Sequence, residues 1–193
     1  MTNLKRRSFL KAAAKTAGVM IVSPSVLGGP KYTAPSDRLN IACVGNGTQG
    51  TRVMLDLLKI PDLVITSVAD PVKEDTKYLN WGPHELRDGI RRAIEEPNWD
   101  AQALDTECRA GREPAKRIVE AWYGKQKAKT YKGCNAYADF RELLEKESGI
   151  DGVVVGAPDH QHAYISIKSL EKGKHVYCQK PMTNTVYEAR LMA

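Results

Sequence analysis

The chain has 193 residues, of which 42% are apolar, and this is enough for one well-packed domain. No apolar run reaches the roughly eighteen residues of a membrane span, so no transmembrane helix is expected. The formal charge of +6 comes mainly from five basic residues among the first thirty, which include no acid, and the rest of the chain has 24 basic and 23 acidic residues. This near balance argues against nucleic-acid binding, which needs a clustered basic face on the folded domain.

The first thirty residues have the pattern of a targeting segment. The motif Lys5-Arg6-Arg7-Ser8-Phe9-Leu10-Lys11 resembles a twin-arginine export signal, and a modest apolar region and small residues suited to cleavage follow it. We therefore expect residues 1–30 to engage the twin-arginine export machinery and residues 31–38 to form a linker. The protein is then periplasmic or otherwise exported. A basic amphipathic surface helix is the alternative.

A strand, a glycine-rich turn, a helix and a second strand are predicted next. Apolar residues 41–44 have the length of a buried parallel strand, residues 51–60 have helical spacing, and the apolar run 63–69 ends in Asp70. Between the first strand and the helix lies a Gly-x-Gly-x-x-Gly motif, formed by Gly45, Asn46, Gly47, Thr48, Gln49 and Gly50. This order of elements is the context in which the motif binds a dinucleotide.

Each part of this unit has a physical role at a dinucleotide site. Gly45 permits the tight turn, Gly47 lets the backbone approach a pyrophosphate, and Gly50 lets the helix pack closely on the strand. Free N–H groups at the helix start then face the phosphates. Asp70 can accept hydrogen bonds from ribose hydroxyls and repels a 2′-phosphate, so the pattern predicts NAD rather than NADP as cofactor. A purely structural turn with an incidental Asp is the alternative.

Residues 72–112 lack the regular pattern of the segments around them. One helix is predicted there, with Pro83 in its first turn and Leu86, Ile90 and Ile94 on one face. The segment is too long for an ordinary strand-to-helix connection. We interpret it as an insertion that covers the cofactor or a neighbouring subunit, or as a solvated surface excursion.

Four cysteines in an exported protein raise the question of disulfides. Cys43 and Cys178 lie in predicted strands, where thiols usually act as small buried hydrophobic groups. Cys108 and Cys134 lie in less regular sequence and could pair, although nothing in their spacing requires it.

Helices and strands alternate over the rest of the chain. Helices are predicted over 113–123, from a capping box at Asp139 and Glu142, over 162–170 and from Thr185, and strands over 127–131, 152–156 and 174–178. Such alternation implies a parallel sheet with right-handed crossovers. The predicted fold class of residues 39–193 is therefore α/β, with a Rossmann-type doubly wound parallel sheet.

Two further strand ends carry reactive residues. Ala157, Pro158 and Asp159 follow one strand, and Gln179, Lys180 and Pro181 follow another; ligands collect beyond the carboxyl ends of such strands. His160 and His162 have the spacing of a His-x-His metal pair, but no third ligand is evident. No metal site is therefore predicted, and a histidine beside a helix start is as easily a hydrogen-bonding cap.

From about Leu39 to its end the chain resembles the amino-terminal half of the Gfo/Idh/MocA oxidoreductases, named for glucose–fructose oxidoreductase and inositol dehydrogenase. The shared features are the glycine turn, Asp70, Tyr137-Ala138-Asp139-Phe140, residues 152–158, His162 and residues 173–181. The resemblance implies an NAD(P)-binding Rossmann domain. It also implies that the chain stops before the family's second α/β domain, is inactive without it, and forms a homo-oligomer when full length.

The resemblance assigns roles to the strand-end residues. It implies that the loop 157–159, with His162 and Gln179, borders the nicotinamide half of the cofactor. Lys180 matches the lysine of the family's Glu-Lys-Pro motif, between nicotinamide and substrate, and is the predicted catalytic residue; a solvated surface lysine is the alternative. Gln179 stands where the family usually has Glu, and Asp159 stands where Asn is common.

These features together predict an exported NAD-dependent oxidoreductase that acts on a sugar or cyclic polyol by hydride transfer to or from nicotinamide. A glycosidase that oxidises its sugar transiently and keeps its NAD is a second hypothesis within the same resemblance. A non-catalytic dinucleotide-binding module is the third, from another class of function.

Overall fold

A computed structural model describes residues 37–193 apart from 80, 81, 83, 105 and 127–130. The predicted signal segment therefore lies outside the described residues. The elements, in chain order, are β1 (Leu39–Val44), α1 (Thr48–Leu57), β2 (Leu63–Ala69), β3 (Asp75–Leu79), α2 (Glu85–Ile94), β4 (Glu107–Ala110), α3 (Arg112–Lys125), β5 (Asn135–Tyr137), α4 (Phe140–Lys146), β6 (Gly152–Val155), a 3-10 turn (Asp159–Gln161), α5 (His162–Glu171), β7 (His175–Cys178) and α6 (Val186–Met192).

Five strands form one parallel sheet in the order β5-β2-β1-β6-β7. The chain therefore builds the sheet outward in both directions from β1. This is the Rossmann arrangement, so the predicted α/β fold with a doubly wound parallel sheet is confirmed. None of the helices in the described part of the chain is long and apolar enough to cross a membrane.

The alternation of side chains along β1 creates two cores, one on each face of the sheet. Ile41 and Cys43 point to a core shared with α1, α2 and α3, whereas Ala42 and Val44 point to a core shared with α4 and α5. Both faces of the strand are thus buried, which is why its sequence is an unbroken apolar run.

Strand β2 carries one extra residue. Ile41 pairs with Ile65, but the next residue of β1, Ala42, pairs with Ser67, so Thr66 is left over as a bulge. As a result Ile65 and Val68 lie on the same face of the sheet although they are three positions apart.

The segment 72–112 contains more regular structure than the sequence predicts. Strands β3 and β4 pair as a separate antiparallel ribbon, and α2 packs its apolar face into the core beside α1. The predicted helix is thus present, although Pro83 lies outside the described residues. The sequence gives little sign of the ribbon because most residues of β3 are exposed.

Several predicted boundaries shift. Helix α1 starts at Thr48 instead of residue 51, and Gly124 lies inside α3 instead of ending it. Most of the strand predicted over 127–131 lies outside the described residues, and the next strand of the sheet is β5, which starts at Asn135. At the start of α4, Glu142 binds Lys146 instead of completing a capping box.

The other predicted cap forms as expected. The Thr185 hydroxyl accepts from the Glu188 N–H, and the Glu188 carboxylate accepts from the Thr185 N–H. The possible disulfide is absent, since Cys108 and Cys134 are both free and buried.

Candidate dinucleotide-binding site

The glycine turn brings the end of β1 against the loop that follows β6. Gly45 has a φ of +81°, in the left-handed region that favours glycine. A Cβ at Gly45 would overlap the backbone of Ala157, and a Cβ at Gly50 would overlap the carbonyl oxygen of Gly45. Both positions therefore require glycine, one for the turn and one for the close approach of α1.

Helix α1 begins within the motif and offers free backbone donors. Its N-cap, Gly47, makes no side-chain hydrogen bond, and the Thr51 N–H makes the first helical turn bond, to the Gly47 carbonyl at 2.9 Å. In the described part of the chain nothing caps the N–H groups of residues 48–50, and the helix dipole favours an anion there. Of these residues Thr48 is buried and Gln49 is exposed. The turn is thus suited to a phosphate.

Asp70 ties the end of β2 to the glycine turn. Its Oδ2 accepts from the Asn46 N–H at 2.6 Å, and its Oδ1 accepts from the Val72 N–H at 2.9 Å. Burial raises the pKa of Asp70, while these two N–H groups and the charge of Arg112 act in the opposite direction. Each carboxylate oxygen keeps a second lone pair, so the side chain can still accept from a ribose hydroxyl.

The side chain of Asn46 points away from the site, into the protein. It is fully buried, and its Nδ2 donates to the carbonyls of Cys43 at 3.3 Å and Ala69 at 3.0 Å. Asn46 therefore joins β1 to β2, and only its backbone belongs to the turn.

The glycine turn and the strand-end loops surround one cleft of about 800 Å³. Asp70 follows β2 there, the loop 157–159 follows β6, and residues 179–180 follow β7. All the site residues predicted from the sequence line this cleft except Asn46 and Gly50, which lie beneath the turn. The fold thus gathers residues more than a hundred positions apart at the carboxyl edge of the sheet.

His162 links two of these loops. Its Nδ1 lies 2.6 Å from the Pro181 carbonyl oxygen, its Nε2 lies 2.7 Å from the Ala157 carbonyl oxygen, and the residue is 1% exposed. Because both ring nitrogens face backbone carbonyls, His162 positions the loops and leaves neither nitrogen for a metal ion. Across the described residues, no group of three or more His, Cys, Asp or Glu side chains could hold a metal.

Lys180 lines the cleft and directly precedes Pro181, whose carbonyl oxygen contacts His162. It is exposed, it precedes Pro181 through a cis peptide bond, and no hydrogen bond or ion pair among the described residues holds its ammonium group. Its side chain is therefore free to reach a ligand in the cleft.

Sequence reasoning missed several residues that line the cleft, namely Tyr78, Phe140, Arg141 and Tyr164. Phe140 belongs to a motif shared with the family, which was a usable signal. Tyr78 lies in the irregular segment after Asp70, where no pattern indicated a strand.

Comparison with known proteins matches residues 116–193 to a family model described as "Oxidoreductase family, NAD-binding Rossmann fold". The levoglucosan dehydrogenase of Pseudarthrobacter phenanthrenivorans is 36% identical over 58 residues, which is 30% of this chain and 15% of that protein. The alpha-N-acetylgalactosaminidase of Shewanella oneidensis is 24% identical over 189 residues, covering 97% of this chain and 36% of that protein.

Among solved structures, the myo-inositol dehydrogenase of Lactobacillus casei in complex with NAD(H) and myo-inositol is 16% identical, with a TM-score of 0.49 over 80% of this chain and 32% of that chain. The chain spans only about a third of the length of the relatives that it matches from end to end. The family model names the cofactor, NAD, and the residues matched include the Lys180 loop. Residues 116–193 of the chain thus match the model of the Gfo/Idh/MocA oxidoreductase family, whose NAD-binding Rossmann fold is the fold that the sheet order shows.

Proposed function

We propose that the chain is the NAD-binding part of an exported oxidoreductase that acts on a sugar or cyclic polyol. The observation that carries the proposal is the cleft that the glycine turn, Asp70 and Lys180 all line. The glycine turn and Asp70 suit a dinucleotide, and the Lys180 side chain supplies a nitrogen for proton transfer with the substrate.

The residues present fit NAD. The uncapped N–H groups of residues 48–50 would hold the pyrophosphate, and Asp70 would accept from the adenosine ribose. The loops 157–159 and 179–180 would then border the nicotinamide. Bound NAD supplies hydride acceptance from, or return to, a substrate carbon.

Lys180 would bind the substrate oxygen whose carbon exchanges the hydride. An amine beside that oxygen can take the hydroxyl proton when the carbon is oxidised and return it when a carbonyl is reduced. An arginine could not do so, because a guanidinium keeps its proton near neutral pH.

Turnover in the protein that contains this chain tests the proposal. Incubation with NAD and a panel of sugars and cyclic polyols should give NADH absorbance with at least one substrate. A protein that binds NAD but turns over none of them, with or without a glycosidic bond, is instead a dinucleotide-binding module.

A glycosidase that retains its NAD is the second candidate. Relatives named as glycosyl hydrolase family 109 proteins and as alpha-N-acetylgalactosaminidase align over 97% of the chain, whereas the levoglucosan dehydrogenase aligns over 30%. Release of nitrophenol from nitrophenyl glycosides without added NAD and without NADH accumulation supports this candidate. Stoichiometric NADH production supports the first.

Cofactor preference follows from Asp70. Its buried carboxylate beside the glycine turn would repel a 2′-phosphate, so NAD should bind more tightly than NADP. Calorimetric titration with each cofactor tests this, and equal affinities would contradict it.

Export and assembly belong to the same proposal. The pair Arg6 and Arg7 motivates twin-arginine export, and the double variant Arg6→Lys, Arg7→Lys should remain in the cytoplasm in cell fractionation. The full-length protein should run as a homo-oligomer in light scattering. Unchanged fractionation of the variant would remove the export claim.

A further inference from the structure

Tyr78 is the residue of the ribbon β3–β4 that faces the cleft. In the exposure pattern of β3 the other four residues are exposed, whereas Tyr78 is half-buried. Its ring carbons Cε1 and Cδ1 lie 3.1 and 3.4 Å from the place where a Cβ on Gly47 would stand. The ring therefore lies directly against the glycine turn.

The ribbon is attached to the turn by its own backbone. At the end of β4 the Gly111 N–H donates to the Asn46 carbonyl at 3.0 Å. The next residue, Arg112, donates from its N–H to the Val72 carbonyl at 3.1 Å, and its Nη1 donates to the carbonyl of Asp70 at 3.1 Å. These bonds join the base of the ribbon, at the end of β4, to the glycine turn and to the segment that follows β2.

The base of the ribbon is also part of the main core. In β4, Cys108 and Ala110 are 0% and 1% exposed. The buried side of α2 packs into the core that α1 shares. A ribbon held in this way is a fixed wall, because moving it would open buried contacts and break the backbone bonds at Gly111 and Arg112.

Tyr78 brings a flat, uncharged surface to this wall. Burial, followed by the charges of Asp70 and Asp75, raises the pKa of Tyr78 to about 12. The phenol is therefore neutral at physiological pH. A neutral ring beside the phosphate end of the cleft adds contact area without the repulsion that a carboxylate would bring.

We propose that Tyr78 is a cofactor-retention residue, whose ring walls the glycine turn and slows dissociation of the bound dinucleotide. The inference rests on the proposed NAD site. A fixed aromatic wall over the pyrophosphate mainly affects the dissociation rate, since contacts of a bound ligand are broken on leaving. Retention of this kind would serve the second candidate function, the glycosidase that retains its NAD.

Stopped-flow measurement of NADH release tests the proposal. The protein is loaded with NADH, chased with excess NAD, and the loss of bound-NADH fluorescence gives the dissociation rate. Tyr78→Ala should dissociate about tenfold faster or more, as expected for truncation of a buried aromatic contact. Tyr78→Phe should stay within about twofold of the unmodified protein, because the ring is kept.

Leu79→Ala is the matched control. Leu79 is the next residue of β3, is 56% exposed and does not line the cleft, so its truncation should leave the dissociation rate unchanged. A rate for Tyr78→Ala equal to that of Leu79→Ala overturns the role of Tyr78 and leaves the NAD site intact. A Tyr78→Phe variant as fast as Tyr78→Ala also overturns it, since the hydroxyl and not the ring would then matter. A protein that does not bind NADH overturns both proposals.

A measurement on the unsubstituted side chain guards against misfolding of Tyr78→Ala. In protein labelled with 3-fluorotyrosine, the Tyr78 ¹⁹F resonance, assigned by its loss in Tyr78→Phe, should shift on saturation with NAD. The resonance of Tyr187, which is 71% exposed and does not line the cleft, should not shift. An unmoved Tyr78 resonance overturns the proposal.

Discussion

Replacement of His162 by Phe should show how much the contacts of His162 with the two strand-end loops contribute to the free energy of unfolding. The ring is kept, so the core around it changes little, but both contacts to carbonyl oxygens are lost, at 2.6 Å to Pro181 and 2.7 Å to Ala157. Both hydrogen bonds are part-buried, and a typical intramolecular hydrogen bond contributes about 0.5–1.5 kcal/mol net. A neutral imidazole has a single N–H and an imidazolium has two. We therefore expect a loss of about 0.5–1.5 kcal/mol in the free energy of unfolding if one nitrogen donates, and about 1–3 kcal/mol if both do.

Urea unfolding followed by circular dichroism gives this number, with His160→Phe as the matched control. His160 lies two positions earlier and is exposed, so the same substitution there should change the unfolding free energy by less than about 0.5 kcal/mol. The loss in His162→Phe should also weaken NAD binding, because the loops that border the nicotinamide end are no longer joined. A His162→Phe variant as stable as His160→Phe would refute the reasoning.

Three further outcomes are expected. Lys180→Ala should lower kcat and kcat/KM alike by about a hundred- to ten-thousand-fold with NAD affinity within a few-fold, and Lys180→Arg should not restore activity; a change confined to KM would make Lys180 a binding residue. Asp70→Ala should lower the ratio of the NADP dissociation constant to the NAD dissociation constant, measured by calorimetry, because repulsion of the 2′-phosphate is relieved. An unchanged ratio would contradict this. With Ellman's reagent at pH 8, half-buried Cys178 should react first, because burial raises the pKa of Cys43 to about 12 and of Cys108 to about 11; labelling of Cys43 before unfolding would disagree.

The sequence was informative wherever burial on both faces forced a continuous apolar run. Strand β2 begins and ends at the predicted residues, 63 and 69, and strand β6 differs by one residue at its end. The roles of Gly45 and Gly50 could also be predicted from the motif, because neither position has room for a Cβ.

The sequence was least informative where structure depends on few or polar contacts. Strand β3 is mostly exposed and β5 has three residues, so neither produces an apolar pattern. The sequence also did not indicate which way the side chains of the glycine motif point. Asn46 stands in the glycine motif, yet its amide points inward because the carbonyls of Cys43 and Ala69 need a donor there.

The bulge in β2 affects how the chain tolerates insertions and deletions. Side chains alternate between the two faces of a strand, so the extra residue Thr66 determines which face each later side chain occupies. This includes Val68 in the core and Asp70 at the turn. Deleting one residue at the bulge would leave a regular strand in which Val68 still pairs with Cys43 and keeps the face of Ile65, whereas inserting one more residue between Ile65 and Asp70 would send Val68 to the opposite face and turn the carboxylate away from the Asn46 N–H. Length changes before Leu63 carry no such penalty, because the loop there can absorb them. In alignments of related chains, a one-residue deletion at the bulge should therefore be tolerated, whereas insertions should gather before the strand.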